Sequence, residues 1–290
     1  WGGFWFWDPV ENISLMPWLS LTALLHCILT LEKRDLFKNW SIILSIVTFM
    51  LSVSGTFLVR SGILNSVHTF ANDPSRGIYI LIFLFVLIFI SFVIFFIFEN
   101  KNLENKKEIF FLSKETSVLI NNWFMIYFLS VVLIGTVYPI FLDVITSEKI
   151  SVGPPFYNKL LIPFLIPFFL FMSVGPSMNW IKTNLKFKVS HIYYFLFTST
   201  ATIITIYVLS QKDFLIIILI FSLLFLTIKT IANFLKKNTN HAQNVSHLGF
   251  AMLMLSILFN SISSTEIIKN IKVGDSFVSK NEKITFEKVK

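Results

Sequence analysis

The first twelve residues of the 290-residue chain hold an exceptional density of aromatic side chains. This aromatic segment reads Trp1-Gly-Gly-Phe-Trp-Phe-Trp-Asp-Pro-Val-Glu-Asn12. Aromatic faces stack on planar π-systems, and glycines let a backbone approach closely, so the segment predicts a platform for a large flat ligand with Asp8 and Glu11 as a polar margin. The alternative is an interfacial belt that anchors a helix at the headgroup level. Five aromatics within seven residues favour the platform, because belts place only one or two at a helix end.

Two histidines lie within apolar runs at matching distances from charged loops. His26 precedes Glu32 by six residues, and His247 follows Asn240 by seven. At about 1.5 Å of rise per residue, both imidazoles lie ~9–10 Å from the same membrane boundary. An ionisable group inside a bilayer is costly and indicates function. Equal depth suits two axial ligands of one haem iron between two helices, and hydrogen bonds to neighbouring helices remain the alternative.

A third candidate site is the loop 60–77. His68 is a potential metal ligand there, between Arg60 and Arg76. The planar guanidinium of arginine pairs bidentately with carboxylates, and haem carries two propionates as well as an iron. The loop therefore suits haem, although no second axial partner for His68 is evident in the sequence. The run that starts at Asp73 predicts the beginning of the next helix.

Composition indicates the class of protein that must position these residues. Hydrophobic residues make up 55% of the chain and charged residues 14%, and the mean hydropathy is +0.74. Because lipid-exposed backbone must satisfy its hydrogen bonds internally, the recurring apolar runs predict an all-α polytopic membrane protein with about eight transmembrane helices. The predicted spans are 15–31, 40–59, 78–98, 121–142, 159–180, 191–209, 214–235 and 244–260.

Charge and cysteine content exclude two classes of function. The loops on one side of the predicted bundle carry twelve lysines and arginines and those on the other side four, which places the first set in the cytoplasm or matrix and the aromatic segment outside. The net charge of +8 reflects this asymmetry, and the basic residues form no single face, so a nucleic-acid partner is not expected. A lone Cys27 excludes an intramolecular dithiol couple.

The chain divides into three predicted regions. They are an outer ligand-binding segment at 1–14, a transmembrane helical bundle at 15–260 and the beginning of a small β-rich outer domain at 261–290. Residues 271–278 and 283–287 read as two short strands around a turn. Two strands alone are only marginally stable, so we expect further strands downstream. Because the chain opens on tryptophan, we also expect an upstream region in the complete protein.

The chain resembles the cytochrome c maturation protein F family (CcmF, cytochrome c haem lyase) along essentially its whole length. The aromatic segment, followed by Pro17-Trp18-Leu19, looks like the tryptophan-rich WWD motif of haem-handling proteins. Its Asp8-Pro-Val-Glu-Asn12 form is typical of this family rather than of a sister group that passes haem to a chaperone. Further stretches that carry the resemblance are Ser54–Gly62, Ser66–Phe70, Asp73–Gly77, Gly135–Pro139, Ser151–Pro155 and His247–Gly249.

The resemblance implies two haem sites. A haem b in the membrane is expected on His26 and His247, and a second haem, the substrate, on the aromatic segment with His68 as one axial ligand. The other axial ligand of the substrate would precede Trp1. The residues expected at the outer site are Trp1, Gly2, Gly3, Phe4, Trp5, Trp7, Asp8, Pro9, Glu11 and Asn12, with Arg60 and Arg76. Phe4 replaces the usual tryptophan, so stacking is expected to persist without an indole hydrogen bond.

The resemblance also implies an activity. The family joins haem vinyl groups to the thiols of a Cys-x-x-Cys-His motif in apocytochrome c, while the membrane haem b keeps the iron of the substrate haem reduced. Positioning is then expected to supply much of the catalysis. The expected partners are a haem chaperone, the thioreductive subunit that presents the apocytochrome, apocytochrome c itself and quinol. The expected location is the bacterial inner membrane, with the mitochondrial inner membrane as the alternative.

Three functions of other classes stay open on the sequence. A membrane haem exporter or carrier would use the same aromatic segment without covalent chemistry. A quinol–haem oxidoreductase would use the membrane haem as its principal cofactor. A solute transporter should show repeated hydropathy halves with broken helices, whereas Pro163, Pro167 and Pro176 interrupt one span only, so this function has the least support.

Overall fold

The protein is a bundle of long helices followed by a short hairpin. The structure, a computed structural model, describes residues 5–61, 73–98, 108–146, 150, 152–184, 189–236, 240–264, 272–279 and 282–287. Within these residues, eight helices are long and apolar enough to cross a membrane. The prediction of an all-α polytopic membrane protein with about eight spans is therefore confirmed.

The helices follow one another in chain order with short connections. They are α1 (Pro9–Arg34), α2 (Lys38–Ser61), α3 (Pro74–Phe98), α4 (Lys114–Thr146), α5 (Pro154–Val174), α6 (Val189–Leu209), α7 (Phe214–Phe234) and α8 (His241–Ser263). A 3-10 turn, Gly175–Ser177, extends α5. Two strands, β1 (Ser276–Ser279) and β2 (Glu282–Thr285), pair antiparallel, as the sequence predicts.

Several helices begin before the spans that hydropathy indicates. α1 starts at residue 9 rather than 15, and α4 at residue 114 rather than 121. Their first turns contain polar residues, which lower hydropathy but stabilise a helix start by accepting from free backbone amides. Asp8 accepts from the amide of Val10 at 2.9 Å, and Ser113 accepts from that of Thr116 at 3.2 Å. The predicted spans are too short at these ends for this reason.

The buried core lies among α1, α4, α5 and α7. α1 packs against α2 and α4, α5 packs against α4 and α7, and α7 packs against α6 and α8. α3 contacts α2 and presents much of its apolar surface outward, as expected of a helix that faces lipid. The core side chains of α1 are Ile13, Met16, Leu19, Ala23, Leu24 and Cys27. α1 thus contributes side chains to the core and also carries the aromatic segment at its N-terminal end.

A buried ion pair fixes α1 to α4 at the end of the bundle opposite the aromatic segment. Nε of Arg34 lies 2.6 Å from Oε1 of Glu115, whose side chain is 1% exposed. The amide of Ile181 donates to both carboxylate oxygens of Glu115, at 3.0 and 3.1 Å. Hydrogen bonds to ionised groups are roughly twice as strong as neutral ones. Glu115 therefore ties together α1, α4 and the segment that follows α5.

Gly55 marks a close approach of α2 to α1. A Cβ at residue 55 would lie 2.7 Å from Cγ2 of Ile13, and a β-branched side chain in a helix has no second favoured rotamer to adopt. We expect Gly55→Ala to lower the free energy of unfolding by ~1–3 kcal/mol through overpacking. Denaturant titration in detergent, followed by circular dichroism, measures the change.

Gly249→Ala in α8 is the matched control for this substitution. Among the residues that the structure describes, nothing lies within 4 Å of the added Cβ, and alanine is favoured over glycine inside a helix by ~0.5–1 kcal/mol. The control should be neutral or stabilising. Equal destabilisation by both substitutions would contradict a specific contact between α1 and α2.

Candidate functional site

A capping box joins the aromatic segment to α1. Oδ1 of Asp8 accepts from the amide of Val10 at 2.9 Å, and Oε2 of Glu11 accepts from the amides of Asp8 at 3.1 Å and Phe6 at 2.8 Å. This reciprocal arrangement satisfies amides that a helix start leaves unpaired. Pro9 suits the first helical position because its missing N–H costs no hydrogen bond there. These residues fix the direction in which the aromatic segment leaves α1.

Trp7 adopts a backbone conformation that is rare for a bulky residue. Its φ is 58°, in the left-handed region, which costs roughly 1–3 kcal/mol. Its indole stacks on the ring of Tyr157 with centroids 4.0 Å apart and planes 9° from parallel. Its carbonyl accepts from Nδ2 of Asn12 at 3.0 Å, and Trp5 packs edge-on against it at 5.9 Å and 89°. Two indoles are therefore held at right angles to each other.

Tyr157 is a site residue that the sequence analysis missed. It lies in the first turn of α5 with 0% of its surface exposed, and its hydroxyl accepts from Nδ2 of Asn12 at 2.9 Å. The sequence predicts that the outer loop 143–158, which includes this tyrosine, is a rigid connection with no side chain suited to acid–base work. The sequence feature that could have indicated Tyr157 is its position directly after Gly153-Pro-Pro-Phe, because a phenol that enters an apolar bundle needs a hydrogen-bond partner.

The described outer arginines lie at the facing ends of α2 and α3. Arg60 borders a groove between α1 and α2, and its carbonyl accepts from the amide of Asp73 at 2.9 Å. Arg76 pairs with Asp73 at 3.0 Å. Asp73 also accepts from the amide of Arg76 at 3.1 Å, which confirms the predicted start of α3. The other outer candidates, Trp1, Gly2, Gly3, Phe4 and His68, lie outside the described residues.

His26 on α1 and His247 on α8 lie near opposite ends of the sequence. Both side chains are half-buried. Further along the same two helices, the rings of Trp18 and Phe250 lie 6.1 Å apart. Among the described helices, α1 and α8 are not one of the pairs whose backbones pack closely. The described contact between the two helices is therefore made by large side chains.

The hydrogen bond of His26 determines which ring nitrogen is available. Nδ1 lies 2.8 Å from the carbonyl oxygen of Thr22, and a carbonyl oxygen only accepts, so Nδ1 carries the proton. Nε2 is left with a free lone pair. Metal-binding histidines usually donate their other ring N–H to a carbonyl or carboxylate in this way. His26 is therefore held in the tautomer that leaves Nε2 available as a metal ligand.

A buried amide near His247 supports the fit of a haem. Asn244 lies about one helical turn before His247 on α8, is 6% exposed, and its Nδ2 finds no acceptor among the described residues. A buried donor without an acceptor costs about 1–3 kcal/mol. A haem propionate supplies carboxylate oxygens of the kind that this amide lacks. A buried amide that lacks an acceptor is a donor of the kind that a haem propionate could use.

Cys27 has the structural role that its apolar surroundings predict. The thiol is buried next to His26 and accepts from Nδ2 of Asn122 on α4 at 2.9 Å. Oδ1 of Asn122 has no partner among the described residues. Cys27 therefore packs as a small core residue and holds the amide of Asn122 on α4.

Comparisons with known proteins identify close relatives. Residues 1–64 match the family described as Cytochrome C assembly protein. The chain is similar to the cytochrome c-type biogenesis protein CcmF of Escherichia coli (strain K12), 34% identical over 100% of this chain and 46% of the relative. CcmF of Haemophilus influenzae is 33% identical over 95% of this chain and 45% of the relative, and that of Pseudomonas aeruginosa 44% over 63% and 28%. The chain spans less than half the length of these relatives.

The fold is similar to that of a solved protein as well. A structure of "Cytochrome c Heme Lyase CcmF" superposes with a TM-score of 0.67 and 23% sequence identity, covering 90% of this chain and 40% of that protein. The arrangement of the helices is therefore shared with that structure.

Proposed function

The chain belongs to the CcmF family of cytochrome c-type biogenesis proteins, and we propose that it acts in cytochrome c maturation as a haem lyase. Haem is held on the aromatic segment, and its vinyl groups are attached to the Cys-x-x-Cys-His thiols of apocytochrome c. The observation that carries this proposal is the fixed pair of perpendicular indoles of Trp5 and Trp7 at the start of α1. A flat ligand that stacks on one indole meets the edge of the other, which defines its orientation.

The proposed reaction depends on alignment. Each thiol adds across a vinyl group, its sulfur bonding to one vinyl carbon while its proton ends on the other, so the addition needs no external oxidant or reductant. The carboxylates of Asp8 and Glu11 already accept from backbone amides, and their role is to hold the segment rather than to transfer protons. Fixing two reactants in the productive geometry is itself a large source of rate enhancement.

The proposal includes a haem b on His26 and His247. When bound, this group supplies an electron relay that keeps the iron of the substrate haem reduced. The support from the chain is the hydrogen bond that leaves Nε2 of His26 free, the half-buried position of His247 on α8 and the amide of Asn244 that lacks an acceptor among the described residues. His68 is proposed as an axial ligand of the substrate haem.

Location and partners are part of the same proposal. The eight apolar helices and the bacterial relatives support a bacterial inner membrane, and the excess of basic residues in the loops at the opposite end from the aromatic segment supports a periplasmic position for that segment. There it meets a haem chaperone, the thioreductive subunit and apocytochrome c. Quinol is the proposed electron source.

Replacing Trp7 tests this function. We expect Trp7→Ala to lower the rate of thioether formation on apocytochrome c by about 10–100-fold, because a misplaced substrate loses much of the benefit of alignment, and Trp7→Phe to lose less. The assay supplies haem-loaded chaperone and reduced apocytochrome to the full-length protein and measures the covalent product by mass spectrometry.

Trp123→Ala is the matched control, since Trp123 lies on α4 with 62% of its surface exposed toward the surroundings of the bundle. It should leave the rate unchanged. Wild-type turnover in Trp7→Ala would contradict the proposed platform. Stable haem binding by the wild-type protein without any thioether product would favour the haem-carrier function instead.

A further inference from the structure

We infer that Tyr157 is a positioning residue for the outer haem site: it sets the orientation of Trp7. Tyr157 can occupy its position only because residue 135 is a glycine. This inference rests on the proposed haem-lyase function. It assigns a role in the outer site to α4 and α5, neither of which belongs to the aromatic segment.

Trp7 is connected to Tyr157 in two ways. The indole and the phenol ring are stacked at 4.0 Å and nearly parallel. In addition, the Asn12 amide donates to both the carbonyl of Trp7 at 3.0 Å and the hydroxyl of Tyr157 at 2.9 Å. One side-chain amide therefore joins the backbone of Trp7 to the side chain of Tyr157, and the stack aligns the two rings.

These contacts offset an unfavourable backbone conformation. A tryptophan at φ 58° returns to the ordinary region of φ and ψ unless its surroundings prevent it. An aromatic stack and a buried hydrogen bond are each of the same order as the cost of that conformation. Removing them frees Trp7 to turn, and the right angle between Trp5 and Trp7 is then lost.

Gly135 on α4 provides the space that Tyr157 occupies. A Cβ at residue 135 would lie 2.6 Å from the hydroxyl oxygen of Tyr157, 2.8 Å from its Cζ and 2.9 Å from Cε1 of Phe156. All three distances are shorter than van der Waals contact. The phenol ring is fully buried and enclosed by helices, so a methyl group at residue 135 must displace it. The orientation of Trp7 therefore depends on a glycine of α4 through Tyr157.

Three variants test the inference in the full-length protein. Tyr157→Leu removes the stack and the hydroxyl, Tyr157→Phe removes the hydroxyl alone, and Gly135→Ala displaces the ring while leaving its chemistry intact. We expect Tyr157→Leu and Gly135→Ala to lower kcat for thioether formation by about 10-fold or more, with the KM for apocytochrome and the b-type spectrum of the membrane haem unchanged. Tyr157→Phe should lose less, because the stack remains.

A second measurement reports on Trp7 without any haem. In protein labelled with 5-fluorotryptophan, the fluorine resonance that disappears in Trp7→Phe belongs to Trp7. Its chemical shift should move in Tyr157→Leu and Gly135→Ala, because the ring current of the stacked phenol is lost. Tyr127→Phe is the matched control, since it removes another hydrogen-bonded tyrosine hydroxyl, the one on α4 that donates to the carbonyl of Leu160 at 2.9 Å. It should change neither the resonance nor kcat.

The two measurements separate the outcomes. An unmoved Trp7 resonance in Tyr157→Leu, or a wild-type kcat in both Tyr157→Leu and Gly135→Ala, overturns the inference. A fall in kcat that accompanies loss of the b-type spectrum in both variants also overturns it, since the effect is then a general loss of structure. A shifted Trp7 resonance in protein that forms no thioether even as wild type would reject the proposed function and uphold the control of Trp7 by Tyr157.

Discussion

Substitution of His26 or His247 by alanine is expected to remove the reducible b-type absorption spectrum from the detergent-purified protein. Each change deletes one of two proposed axial ligands, and the remaining imidazole alone does not maintain a six-coordinate iron. Loss of a group that merely hydrogen-bonds a metal ligand already costs ~10–100-fold in affinity. The loss of haem occupancy on removing a ligand itself should be larger. Absorption spectra of oxidised and dithionite-reduced protein measure it.

Two controls make this spectrum informative. His241→Ala changes an exposed histidine at the start of α8, the same helix as His247, and should leave the b-type spectrum intact. Exogenous imidazole should restore the spectrum of His26→Ala by filling the vacated position, which a misfolded protein would not allow. Retention of the wild-type spectrum in either variant, or a colourless wild-type protein with full haem-attachment activity, would contradict the membrane haem.

Removal of the Glu115 carboxylate is expected to cause the largest loss of stability. Glu115→Ala removes the carboxylate that Arg34 contacts and the acceptor of the amide of Ile181. Breaking a buried ion pair from one side costs about 3–5 kcal/mol because the other charge stays buried. The free energy of unfolding in detergent should fall by this amount. Denaturant titration of the wild type and the variant measures the difference.

The exposed pair of Glu32 and Lys33 provides the matched control. Its atoms are also within ion-pair distance, 3.2 Å, but both side chains lie mostly in solvent, where such pairs contribute about 0–1 kcal/mol. Glu32→Ala should therefore be close to neutral. In the double variant Glu115→Ala with Arg34→Met, part of the lost stability should return, since the charge that lost the Glu115 carboxylate is removed as well. A neutral Glu115→Ala would show that the buried pair does not fasten α1 to α4.

The sequence predicts well those features that depend on composition and on the constant rise of a helix. Eight spans follow from hydropathy because each helix faces lipid over much of its length. The equal depth of His26 and His247 follows in the same way from their distances to charged loops, and their sharing of one haem stays a prediction. The predicted spans begin too late because the residues that cap the helix starts, such as Asp8, are polar and resemble loop residues.

Contacts between distant helices are the part that the sequence does not predict. Asn12 and Tyr157 are 145 positions apart, and Arg34 and Glu115 are 81 apart. No periodicity or spacing in the sequence predicts either pair, because each pair forms only when the helices pack together. Asp8 and Glu11 are different, because an acidic residue three positions before a glutamate is a signature of a helix start. That signature is present in the sequence, although the two carboxylates also suit the margin of a ligand site.

The position of Pro17 gives α1 an uneven stiffness along its length. The ring nitrogen of Pro17 carries no proton to donate to the carbonyl of Ile13. α1 therefore lacks one backbone hydrogen bond between Trp7 and His26. Before Pro17 in the chain, Trp7 stacks on Tyr157 of α5. After Pro17, Cys27 and Arg34 of α1 contact residues of α4. A helix bends most readily at such a missing hydrogen bond. A bend there would move the outer end of α1 relative to the imidazole of His26.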